Sequence, residues 1–123
     1  MLIVENDIIY LTKGDDGAIP VSVQNGEEEY ILGEGDTLAL TVRELPTAES
    51  PVLMLCKSTP GSNRIIINSA DTEQILPGRY SADIQLTDAS GMKTTVWPLP
   101  EGSERYRIKN FQNFVIMPEV TTE

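Results

Sequence analysis

LPGRYSADIQLTDASGMKTTV, Leu76 to Val96, carries the cleanest pattern in the chain. From Tyr80 to Thr87 apolar and polar residues alternate without a slip. Tyr80, Ala82, Ile84 and Leu86 share one face; Ser81, Asp83, Gln85 and Thr87 share the other. That alternation is the signature of a half-buried strand. Asp88 to Gly91 (DASG) supplies a tight turn, and MKTTVWPL returns beside the first strand as a hairpin partner.

The corner before this strand adds a finer signal. Pro77 and Gly78 break the preceding segment, and Tyr80 follows at once, with Ala82 next on the same face. Immunoglobulin domains place a tyrosine at such a corner, two residues ahead of a buried cysteine. Here alanine occupies the cysteine position. The local design is immunoglobulin-like without the disulfide, and the Tyr80 hydroxyl is expected to bond backbone between Asp71 and Leu76.

The same period runs through the rest of the chain. IIYL (Ile8–Leu11) is a short strand candidate, followed by the turn TKGDDGA. IPVSVQ (Ile19–Gln24) puts Ile19, Val21 and Val23 inward, and Pro20 marks an edge or bulge because it cannot donate to a ladder. NGEEEY reads as a hairpin connection. TLALTVRE puts Leu38, Leu40 and Val42 inward. VLMLCK (Val52–Lys57) is apolar on both faces, as expected of a central strand. RIIIN is β-branched, and FQNFVIMPEV closes the pattern. Only SADTEQILPG suggests a helix, with Asp71 as cap and Gln74 reaching back. Pro77 and Gly78 limit it to one turn near 70–75. The expectation is a single domain over 1–123: an all-β, immunoglobulin-like antiparallel β-sandwich of about eight short strands.

Composition narrows the chemistry. The chain has 123 residues, enough to bury about two thirds of its unfolded surface in one core. Its net charge is −10, from 19 acids against nine bases, so it repels nucleic acid and anionic membrane. There is one cysteine, Cys56, and no histidine. An intrachain disulfide, the usual zinc sites and histidine-dependent nucleophilic catalysis are therefore excluded. GDDG (Gly14–Gly17), GEEEY (Gly26–Tyr30) and GEGD (Gly33–Asp36) are acidic turns that do not match an EF-hand loop. No phosphate-binding glycine motif occurs. The expectation is a non-catalytic protein without a cofactor. The start, MLIVENDIIYL, lacks the features of a signal peptide, and no apolar run has membrane-spanning length. A cytoplasmic site of synthesis is the expectation.

Two features suggest contact with other molecules. Trp97 stands near a strand end before Pro98, where it either plugs the end of the sandwich or anchors an interface. Arg105, Tyr106 and Arg107, in SERYRIKN, form the one basic cluster of an acidic chain and are the candidate self-association contact.

LTKGD (Leu11–Asp15), GDTLALTVR (Gly35–Arg43), DTEQILPGRYSADIQLT (Asp71–Thr87) and EVT (Glu119–Thr121) together resemble a family of small phage and prophage proteins of Gram-positive bacteria. They also resemble the immunoglobulin-like N-terminal domain of phage baseplate upper proteins. The resemblance covers nearly the whole chain and concerns turns and strands, not a catalytic site. It implies a virion structural or adaptor module in tail, baseplate or fibre, assembled in the host cytoplasm, with other virion proteins and itself as partners. A carbohydrate- or surface-binding sandwich is the rival, with Trp97 and Tyr106 as its aromatic platform.

Overall fold

Alternating strands bury one face each, and here they do so by stacking two layers. The computed structural model describes residues 2–5, 8–25, 28–45, 47, 49–97 and 113–118. The larger layer is a seven-stranded sheet. Its order is β1 (Leu2–Glu5), β2 (Ile8–Thr12), β11 (Phe114–Met117), β9 (Gly78–Thr87), β6 (Thr37–Arg43) and β7 (Val52–Lys57), with β10 (Lys93–Trp97) also paired to β9. The other layer holds β3 (Gly17–Pro20) against β8 (Arg64–Ile67), and the hairpin β4 (Val23–Asn25)–β5 (Glu28–Tyr30). The all-β, sandwich-like architecture expected from the alternation is what the chain adopts.

The inward residues read from the sequence form one core. Leu38, Leu40 and Val42 of β6 are fully buried, as are Leu11, Ile65, Ile67 and Phe114. Ile19, Val21 and Val23 join the same cluster from the opposite layer. Pro20 ends β3, and Val21 and Ser22 lie between it and β4, so the expected IPVSVQ strand is divided in two. The described residues hold eleven strands rather than about eight, partly through that division and through β1, which alternation did not single out.

Among the described strands pairing is antiparallel except for β11 on β2, which is parallel, Phe114 beside Ile9. The corner expected at Tyr80 is present: its hydroxyl donates to the Leu76 carbonyl. The expected helical turn, α1, spans Ser69–Thr72. Asp71 sits inside it rather than capping it, and its Oδ2 accepts the Asn68 N–H at 2.7 Å. The cap therefore begins three residues earlier than the sequence suggests, because Asn68 already has the extended backbone a cap requires.

One edge of β9 is finished by a side chain. β10 covers β9 at Ile84–Thr87 and β11 covers it at Gly78–Tyr80, leaving Ala82 between them. There the carboxamide of Asn113 takes over. Its Oδ1 accepts the Ala82 N–H at 2.7 Å, and its Nδ2 donates to the Ala82 carbonyl at 2.9 Å. The buried Asn113 thus imitates one residue of a neighbouring strand.

The two-sided apolar pattern predicts β7 at the centre of a sheet; among the described strands it lies at the edge. Met54 and Cys56 are buried, but Val52, Leu53 and Leu55 are exposed. Apolar side chains on both faces say nothing about how many edges of a strand are paired, and that is the reason for the difference.

Candidate interaction surface

Two of the acidic turns, GDDG and GEGD, are built into the fold. Asp36 is buried and accepts the Tyr30 hydroxyl at 2.6 Å and the Gly33 N–H at 2.8 Å. Those bonds hold its carboxyl below the usual carboxylate range and push the Tyr30 hydroxyl up. Asp16 accepts the Ser69 N–H at 2.7 Å, and the buried Thr72 hydroxyl accepts the Gly14 N–H at 2.9 Å. Together they clamp the GDDG turn onto α1. Among the described residues no three His, Cys, Asp or Glu side chains gather as a metal site requires.

Cys56 is free and buried, and its thiol donates to Asp71 Oδ2 at 3.4 Å. Burial pushes the thiol up to about 12, and the adjacent Asp71 carboxylate acts in the same direction. It is a packed hydrophobe facing an acid, the opposite of a reactive thiolate environment.

Two strand edges stay open among the described residues. The seven-stranded sheet ends in β1 on one side and β7 on the other, and each has an edge unpaired among the described strands. Ile3 and Val4 are exposed on β1; Val52, Leu53 and Leu55 are exposed on β7. Leu53 falls in a bulge, since Val42 pairs with Met54 and Arg43 with Val52. The regular part of the β7 edge is therefore Met54 to Lys57.

Beside that edge lies an open groove of about 420 Å³, with Leu55, Cys56, Lys57, Arg64, Ile66, Asn68 and Asp71 among its lining residues. Its origin is topological. β7 and β8 begin as a hairpin, joined by one bridge from Ser58 to Ile65, and then part as β8 pairs instead with β3. Two strand edges diverge with no described strand between them. Exposed Ile66 and the cations Lys57 and Arg64 give this groove an apolar wall and a basic rim.

Of the residues singled out from sequence, Trp97 is half-buried, packs against the core, and lies opposite Ile84 just beyond a register shift in β10. Arg105, Tyr106 and Arg107 lie outside the described residues. Alternation missed the β1 and β7 edges. The available signals were the two-sided apolar run VLMLCK and the apolar LIVE before the first turn. Among the described residues no helix is long and apolar enough to cross a membrane. Comparison with known protein families, with curated proteins and with solved structures finds no match.

Proposed function

We propose that this protein is a non-catalytic structural or adaptor module of a phage or prophage particle, working through protein–protein contacts in tail, baseplate or fibre. The single observation that carries the contact role is the gathering of exposed apolar side chains on the open strand edges β1 and β7. Open edges are docking surfaces for further strands. Unprotected, they are a liability that soluble proteins usually cover or charge. The particle itself is suggested by the motifs LTKGD, GDTLALTVR and DTEQILPGRYSADIQLT. Trp97, one of the two aromatics of the rival carbohydrate-binding reading, is half-buried and packs against the core.

Mass spectrometry of particles purified by density gradient, after induction of a lysogen carrying the gene, tests this role. The protein is expected in stoichiometric amount with the other virion proteins. Particles that assemble fully without it would refute the structural role.

A further inference from the structure

We propose that copies of this chain join head to tail by sheet extension, β1 of one copy adding to the β7 edge of the next. This names a partner for the contact role above and rests on it for its biological purpose. Three observations support it.

The first is direction. β1 is antiparallel to β2, β2 is parallel to β11, and β11, β9, β6 and β7 succeed one another antiparallel. β1 and β7 therefore point the same way. A neighbour displaced along the sheet without reversal presents its β1 parallel to β7.

The second is the match of length and face. β1 has four residues, and the regular part of β7, beyond its bulge, is Met54 to Lys57. Leu2 and Val4 stand opposite the buried Leu11 and Ile9 and so share that face of the sheet, Leu2 half-buried and Val4 exposed at its end, while Ile3 and Glu5 lie on the other face. In β7 the core side holds Met54 and Cys56, and the outer side Leu55 and Lys57. Setting Leu2–Glu5 along Met54–Lys57 in parallel keeps each face with its like.

The third is charge. That register places Ile3 beside Leu55 and Glu5 beside Lys57. A two-fold pairing of β7 with itself about Leu55 sets Lys57 against the bulged Leu53, and β1 paired with itself has no cation to offer Glu5. Only the head-to-tail pairing of these edges joins opposite charges, and in a chain of net charge −10 that selects the partner edge. The groove where β8 departs from β7 gives the incoming strand its place. Such a contact is heterologous, so it closes into a ring or extends into a filament according to the rotation between copies.

Sedimentation velocity over a concentration series tests it, using wild type, Lys57→Glu and Glu5→Lys. Both substituted residues are exposed, and circular dichroism checks that each variant folds. Wild type is expected to associate with rising concentration. Each single variant sets like charges together and is expected to lose at least about tenfold in association constant. An equimolar mixture of the two variants recovers association, because the acid introduced on β7 of one variant then meets the base introduced on β1 of the other. A wild type that stays monomeric, a variant that associates like wild type, or a mixture that does not recover overturns the proposal. If the protein is found in particles but stays monomeric alone, this contact fails and the virion role stands. Association without any presence in particles has the reverse meaning.

Discussion

Replacing Asn113 by alanine removes a side chain that stands in for a strand. The buried carboxamide satisfies both backbone groups of Ala82, at 2.7 and 2.9 Å, where neither β10 nor β11 reaches β9. After truncation a buried N–H and a buried C=O lose their partners together. Each unsatisfied group costs about 1–3 kcal/mol, so the pair costs about 2–6 kcal/mol. The backbone carbonyl of Asn113 still accepts the Ile9 N–H at 2.9 Å, so the parallel β2–β11 pairing is retained. For a chain of this size about 3 kcal/mol lowers Tm by roughly 10–15 °C, easily read by calorimetry or a circular dichroism melt. Asn113→Asp sharpens the test. Its carboxylate accepts from the Ala82 N–H but repels the Ala82 carbonyl, so at neutral pH it is expected to be as harmful as alanine. Protonation restores a donor, which places its folded-state pKa above the unfolded value. A raised carboxyl pKa means that the folded state binds the extra proton, so the deficit against wild type shrinks as pH falls through that value. Measuring the difference at each pH cancels the other carboxylates. A Tm loss below about 3 °C for Asn113→Ala, or an aspartate deficit that does not change with pH, would refute the reasoning.

Gly35→Ala is expected to destabilise by about 1–3 kcal/mol in denaturant unfolding; an added Cβ would meet Ala89 Cβ at 2.4 Å and Ala89 Cα at 3.0 Å, where the two turns press together. Acid unfolding should begin as pH falls below the usual carboxylate range. Asp36 is held low by the Tyr30 hydroxyl, and Asp88 by Ser90 and the Met92 N–H, so both contribute stability above their unfolded pKa values that is lost on protonation. Removing the Tyr30 hydroxyl (Tyr30→Phe) should weaken that acid dependence, which a pH series of melts would read. Cys56, pushed up to about 12 by burial, leaves roughly one thiol in ten thousand ionised at pH 8. Its alkylation by iodoacetamide should be slow in the native protein and fast in denaturant, and equal rates in the two states would contradict the packing described.

Local regularity made much of this protein legible in advance. The Tyr80–Thr87 alternation specified a strand with one buried face, and the core of Ile84, Leu86, Leu38, Leu40 and Val42 followed from period alone. The corner bond from Tyr80 to Leu76 was legible too, because it spans only four residues. Strand order was not. The two-sided apolar run of β7 placed it at a sheet centre, yet the β7–β8 hairpin parts after one bridge and leaves it at an edge. Asn113 acts on Ala82, 31 residues away, and no pattern within either segment announces that. A side chain's face is set by its neighbours in sequence, through the two-residue pleat. Which edges stay open, which side chain finishes a ladder and which two strands can meet a neighbour are set by pairing between distant segments, and that only the folded chain decides.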